Sequence, residues 1–379
     1  MQHSHSSAAG RDVMESGSAA ASSIASARSG AIAVAAARQR AGGAGEASAT
    51  TRVAFTISAR EWQLFLPGLT GGGMEALGAT WVDTEALRGD DWERMLRDDL
   101  RPDAIVTAWS TPALPPQPPG EAELPLRFVA HITGSVRKLV PRRYIERGLL
   151  VTNWGASISH TIAEHAMLLV LAALRNLPAW GNVEDSDDGC VYEKLARIRP
   201  KSLRGRRVGL HGFGAIAREI AGMLRAFGAD VSAWSAGVPR SLYEEFGVRP
   251  SAGLKELFAG SEVLIECEGL TPDSRGMVTA ELLELLPEDA VFVNVGRAGV
   301  TDEEALARMV RTGRLRAGLD VYSPVVGTVG GGILSPHIAG PTLDTCPACG
   351  DNALRNLEAY LRGEMPAGLM TLEVYDRST

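Results

Sequence analysis

Arg207-Val208-Gly209-Leu210-His211-Gly212-Phe213-Gly214-Ala215-Ile216-Ala217 joins a short apolar run to two closely spaced glycines and the opening of a helical pattern. Gly212 permits a tight turn, Gly214 lets the backbone come close to a bound group, and Ala217 keeps a third position small where helix packs on strand. Behind the turn Ile216, Ile220, Leu224 and Phe227 recur on one helical face, and Gly228 ends the pattern. The amides of Ala215 and Ile216 would stand at the positive end of that helix, where a phosphate binds. Strand, glycine turn and helix in this order point to a dinucleotide.

Downstream of the turn, strands are read at 208–210, 231–234, 263–265, 290–295 and 317–321, with helical pattern between them and Thr301 and Glu304 at the capping-box spacing. Upstream, Val53-Ala54-Phe55-Thr56-Ile57, Ala104-Ile105-Val106-Thr107-Ala108, Phe128-Val129-Ala130 and Leu149-Leu150-Val151-Thr152 form a second alternating series, broken by a proline-rich loop from Pro112 to Gly120. Between the series a helix is expected from about Thr161 to Arg175, with Thr161 and Glu164 as its capping box. Its segment Ala166–Leu171 is apolar nearly all round, which buries it between layers or between subunits.

Strands alternating with helices imply parallel sheets covered on both faces. The fold class expected is therefore α/β with two doubly wound parallel-sheet domains, one Rossmann-type and one flavodoxin-like, and a cleft between them. Residues 156–341 are assigned to the dinucleotide-binding domain. Residues 51–155 form the other, substrate-binding domain, which the last helix, from Thr342 to Leu361, rejoins; this makes it discontinuous, with 342–375 as its second part.

Residues 1–50 are rich in Ala, Ser and Gly and cannot offset their own ordering entropy, so a disordered tail is expected there. Arg28, Arg38 and Arg40 raise a transit peptide as one reading of this tail, against an unstructured extension or an upstream start codon. A net charge of −7 argues against nucleic acid or an anionic membrane as partner. No apolar run approaches the roughly 20 residues of a membrane span. Cys190, Cys267, Cys346 and Cys349 are too scattered for a disulfide scaffold, so a cytoplasmic location is expected. Cys346-Pro-Ala-Cys349 has no second pair to complete a zinc site, and no metal is assigned. At the end of the strand that follows the glycine turn, where a carboxylate would accept from an adenosine ribose, stands the neutral Ser235, with Arg240 nearby; NAD and NADP both remain open.

Three further stretches carry a resemblance: Leu270-Thr271-Pro272-Asp273-Ser274-Arg275-Gly276, residues 293–306 around Asn294-Val295-Gly296-Arg297, and residues 334–340 around Pro336-His337-Ile338-Ala339-Gly340. With the glycine turn, their order resembles that of the D-isomer-specific 2-hydroxyacid dehydrogenases, the family of glycerate and phosphoglycerate dehydrogenases, over about residues 52–375. The resemblance implies an NAD(P)-dependent enzyme that reduces a small 2-oxo acid to a D-2-hydroxy acid. It places Arg297 on the substrate carboxylate and carbonyl, a task that suits a planar guanidinium, and His337 as the acid/base. Asp320 falls where the family contacts the nicotinamide carboxamide, Cys267 and Thr271 on the cofactor side, and Gly134-Ser135-Val136 in the loop whose amides hold the substrate carboxylate. Members are typically dimers, so a homodimer is expected.

One departure stands out. The family places a glutamate five residues after the position of Asp320, to orient the histidine, and Val325 stands there instead. From Ser323 to Ser335 the chain carries no carboxylate. The alternative to the enzyme is therefore a catalytically weakened NAD(H)-binding sensor, acting as the family's corepressor relatives do. A formate-dehydrogenase-like reaction, which moves no proton, is a third reading.

Overall fold

Strands covered on both faces need no polar alternation, and every residue of Val53–Thr56, Ala104–Thr107 and Phe128–His131 is buried. The computed structural model of the chain describes residues 51–116, 123–182, 190–327 and 331–377. The expected tail, part of the proline-rich loop and residues 183–189 lie outside the described residues.

The first sheet contains β1 (Val53–Thr56), β2 (Ala79–Val82), β3 (Ala104–Thr107), β4 (Phe128–His131) and β5 (Leu150–Thr152), all parallel, in the order β2-β1-β3-β4-β5. This is the flavodoxin-like order. The second holds β6 (Arg207–His211), β7 (Asp230–Trp234), β8 (Arg249–Pro250), β9 (Val263–Glu266), β10 (Ala290–Asn294), β11 (Leu315–Leu319) and β12 (Ile333–Leu334), ordered β12-β11-β10-β9-β6-β7-β8. All its pairings are parallel too. It is the dinucleotide-binding order with one added strand. Strand order reverses between β1 and β3 and between β6 and β9, and crevices for ligands open at such points. β2, β8 and β12 were not read from the sequence. β2 is a half-exposed edge strand, and the other two are two residues each, too short for a periodic signal.

Helix α1 (Ala59–Phe65) follows β1. The long helix α2 (Ser159–Leu174) begins two residues before its expected start, with Ile158 at the N-cap and no side-chain cap. Thr161 and Glu164 therefore lie inside it and form no capping box; Glu164 instead meets His160 at 3.3 Å. α2 packs on α4 (Ala215–Ala226), β10 and β11, so it is buried between layers of its own chain, with Leu168 left exposed. Its last carbonyls are closed by Arg316 of β11, whose Nη1 donates to Ala173 O (3.3 Å) and Leu174 O (3.1 Å) while Asp289 holds the guanidinium from the other side. Between these helices runs α3 (Val191–Ile198), which buries none of its residues.

Helix α5 (Glu303–Arg311) is capped by Asp302, which accepts from Ala305 N at 2.9 Å, and not by Thr301. Thr301 is held extended by its bridge to Val278, so the helix cannot start until the next residue, and Thr301 Oγ1 is left without a partner. Helix α6 (Cys346–Leu361) starts later than Thr342, because residues 342–345 close a turn in which Thr345 Oγ1 accepts from Thr342 N at 2.9 Å. It packs on α1, β3 and β4, with Tyr360 stacked on Phe128 at 4.7 Å. Gly350 is required there, since a Cβ would run into the Phe65 carbonyl. Among the described residues no helix is long and apolar enough to cross a membrane.

His131, at the end of β4, is 3% exposed and hydrogen-bonded to Thr107 Oγ1 (2.9 Å) and Thr133 Oγ1 (2.7 Å). Burial lowers its pKa to about 4. As pH falls below the unfolded value of about 6.5, the unfolded chain takes up the proton first. Stability present above that pH should fall by about 3 kcal/mol as pH drops to about 4. Melting curves across this window should show the loss, and His131→Gln should flatten it; an unchanged slope would remove His131 as the source.

Candidate functional site

β6 runs straight into the glycine turn. Gly212 has φ +83°, and a Cβ there would lie 2.8 Å from Glu268 N, so both conformation and space demand glycine. Gly214 is the N-cap of α4, with no side-chain cap and nothing within 4 Å of where its Cβ would be. Among the described residues the amides of Ala215 and Ile216, in the first turn of α4, have no hydrogen-bond acceptor, an arrangement that fits a dinucleotide phosphate. Ala217, fully buried, packs the helix onto the sheet.

A cleft of about 710 Å³ opens beside the turn. Gly134 and Ser135, after β4, line it from the first sheet; Ile216, Cys267, Arg297, Asp320 and His337 line it from the second. Trp109, Trp154, Glu268 and Arg377 also line it, and none was singled out from the sequence. Their neighbours are distant in the chain, so no local pattern marks them. Val136 does not reach the cleft: it is buried in the core of the first sheet. Thr271 does not line it either, its hydroxyl being engaged with Ser274 N (3.1 Å) and Ser274 Oγ (3.2 Å).

Arg297 follows β10 on a turn pinned by Asn294, whose Oδ1 accepts from Gly296 N (3.0 Å) and whose Nδ2 donates to Arg297 O (3.3 Å). Burial lowers the pKa of the guanidinium, which donates only to Gly296 O among the described residues. Its remaining donors are available to an anion. Cys267 sits between Glu266 and Glu268, and burial together with these carboxylates pushes its thiol well above the usual range.

His337 is exposed on the cleft and has φ +57°, a left-handed backbone for a residue with a side chain. Asp320 holds it there. His337 N donates to Asp320 O at 2.9 Å, and the Asp320 carboxylate accepts from Ser335 Oγ (2.7 Å), Ile338 N (2.9 Å) and Ala339 N (3.1 Å). His165 of α2 completes the cluster, with Nε2 2.8 Å from Ser335 Oγ. Among the described residues no carboxylate hydrogen-bonds the His337 ring. Val325 is on the short helix Pro324–Gly327 with its side chain largely exposed.

Ser235 lies at the end of β7 on a separate hollow of about 360 Å³, shared with Arg240 and Glu256. Its amide donates to the Tyr243 hydroxyl (3.0 Å) and its Oγ to Glu268 Oε2 (3.2 Å). Arg240 is paired with Glu244 at 3.0 Å. Beneath the turn the His211 imidazole and the Glu266 carboxylate, both fully buried, are in direct hydrogen-bond contact. Burial lowers the His211 imidazole, but the Glu266 contact outweighs it and leaves its pKa raised.

The sequence model of the D-isomer specific 2-hydroxyacid dehydrogenase NAD binding domain matches residues 167–348. A glyoxylate reductase of Pyrococcus furiosus is 30% identical over 263 residues, 66% of this chain and 77% of that protein. The chain belongs to the D-isomer-specific 2-hydroxyacid dehydrogenase family. A D-3-phosphoglycerate dehydrogenase of Methanocaldococcus jannaschii is 28% identical over 236 residues, 60% of this chain but only 44% of that longer protein. Among solved structures, apo D-mandelate dehydrogenase of Rhodotorula graminis superposes with a TM-score of 0.69 at 18% identity, covering 85% of this chain and 98% of the other, a likeness of fold. The matching model is that of an NAD binding domain, and the cofactor is a nicotinamide dinucleotide, NAD or NADP.

Gly212→Ala should weaken NADH binding at least about tenfold, since a left-handed residue with a Cβ costs roughly 1–2 kcal/mol before the clash with Glu268 is counted. Fluorescence titration reads the affinity. An unchanged dissociation constant in the folded variant would mean the turn does not cradle the dinucleotide.

Proposed function

We propose that the protein reduces a small 2-oxo acid to the corresponding D-2-hydroxy acid, with NADH or NADPH as reductant. The observation that carries this reading is the single cleft in which Gly134 and Ser135 face Arg297 and His337 beside the glycine turn. The bound dinucleotide supplies the hydride. Arg297, with donors beyond the one given to Gly296 O and its charge partly desolvated, binds the substrate carboxylate and polarises the carbonyl oxygen. Amides of the Gly134-Ser135 segment hold the other side of the carboxylate. His337 gives its ring proton to the carbonyl oxygen as the hydride arrives at carbon, and takes one back in the reverse direction. Asp320 acts through the backbone, fixing where the imidazole stands.

We further assign residues 51–155 with 342–375 to the substrate side and 156–341 to the cofactor side. The free thiols suit a reducing cytoplasm. A homodimer is favoured by the exposed apolar side chains of Leu168, Trp180, Val191 and Tyr192. Sedimentation at micromolar concentration should give a species of about twice the 40.1 kDa chain mass; a monomer alone would remove this assignment.

One observation favours the sensor reading, namely that no described carboxylate supports the His337 ring. A panel of 2-oxo acids with NADH and with NADPH, followed by loss of reduced-cofactor absorbance, separates the two. Turnover of any acid supports the enzyme; binding of NADH without turnover across the panel supports the sensor. Arg297→Ala should lower kcat/KM by at least about 10³-fold, more than loss of a surface arginine explains, with NADH affinity within about twofold of wild type. Equal loss of NADH binding would remove Arg297 from the substrate.

A further inference from the structure

Glu268 belongs to neither the glycine turn nor the acid/base pair, yet it stands between them. It lies two residues beyond β9, and its backbone is wedged against two glycines: a Cβ on Gly212 would meet Glu268 N at 2.8 Å, and one on Gly296 would meet Glu268 O at 2.7 Å. Its side chain reaches past the turn toward the end of β7, where Oε2 accepts from Ser235 Oγ at 3.2 Å while Oε1 accepts from Gly269 N at 3.2 Å. β9 and β7 flank β6 on opposite sides. The carboxylate therefore spans the strand that feeds the glycine turn and arrives at the ribose end of a dinucleotide laid over it.

Ser235 cannot drift to another position. Its amide donates to the Tyr243 hydroxyl and its carbonyl accepts from the same group, and Tyr243 is stacked on Phe213 of the turn at 4.7 Å. Glu256 lines the hollow beside Ser235, and Arg240, the one cation among its described lining residues, is paired with Glu244 and has a side chain 79% exposed. Glu266, the other acid of the segment, is committed to His211 in the interior. Glu268 is thus the carboxylate turned toward the site.

We propose that Glu268 is the specificity-determining residue for the cofactor: it accepts from a hydroxyl of the adenosine ribose and repels a 2′-phosphate, so that the chain takes NAD(H) over NADP(H). A carboxylate from the end of β9, resting on Ser235, does what one on β7 itself ordinarily does. Rejection works by placing like charge against the 2′-phosphate, while acceptance needs the hydroxyl in its place. The inference rests on the cofactor reading of the glycine turn.

The test is fluorescence titration of NADH and NADPH against the wild-type protein and Glu268→Gln, which keeps size and removes charge. Wild type should bind NADH about 100-fold more tightly than NADPH, and Glu268→Gln should bring the two within about tenfold, with NADPH binding improved. A measurement that needs no variant is displacement of bound NADH from wild type by AMP and by adenosine 2′,5′-bisphosphate, where AMP should compete the better. The proposal is overturned if the bisphosphate competes as well as AMP, or if Glu268→Gln shifts both dinucleotides equally. Failure of wild type to bind either dinucleotide would instead remove the cofactor reading itself, and this inference with it.

Discussion

The buried carboxylate of Asp320 organises the reacting end of this molecule. At 2% exposure it needs partners, because a buried charge without them is costly. It finds them in the loop that follows β12: the Ser335 hydroxyl and the amides of Ile338 and Ala339. Its own backbone accepts from His337 N and donates to Asn294 O at 3.0 Å, so the same residue joins the turn of Arg297 to the loop of His337. A left-handed backbone at a non-glycine residue costs about 1–2 kcal/mol. These bonds offset it and hold His337 on the cleft.

Much of this was legible along the chain, for reasons that differ by element. The glycine turn announces itself because it is local: Gly212 and Gly214 act within a few residues of where they stand. Central strands such as Ala290–Asn294 are visible because burial on both faces makes them continuously apolar. The edge strand Ala79–Val82 lacks that property and was missed. Helix starts went astray at Thr161 and Thr301 because the capping-box spacing is common, while the cap is decided by where the preceding backbone leaves its strand or turn. Val136 and Thr271 were carried over by resemblance, but the first faces the core and the second is closed on Ser274.

What stayed hidden depends on sheet order. Glu268 and Ser235 are 33 residues apart, and nothing local relates them; only the placement of β6 between β7 and β9 brings the carboxylate to the serine. His165 and Ser335, 170 residues apart, meet for a similar reason, since α2 lies along β11, with Arg316 at its last turn, Gly318 against Leu169 and Asp320 beside His165. The substitution at Val325 was plain in the sequence. That the His337 loop keeps a firm backbone anchor despite it was not, because the resemblance marks Asp320 only as a cofactor contact, while its bonds to residues 335–339 come from the fold.

Arg316 carries a mechanical consequence. By closing the last carbonyls of α2 while gripping Asp289, it fastens that helix end to the second sheet. The chain passes between the two sheets at 153–158 and 340–345, outside the helices on either side. Asn153, Trp154, Gly155, Ile158, Gly340 and Pro341 of those crossings all line the cleft. Whatever fills the cleft therefore also presses on the two segments that join the sheets.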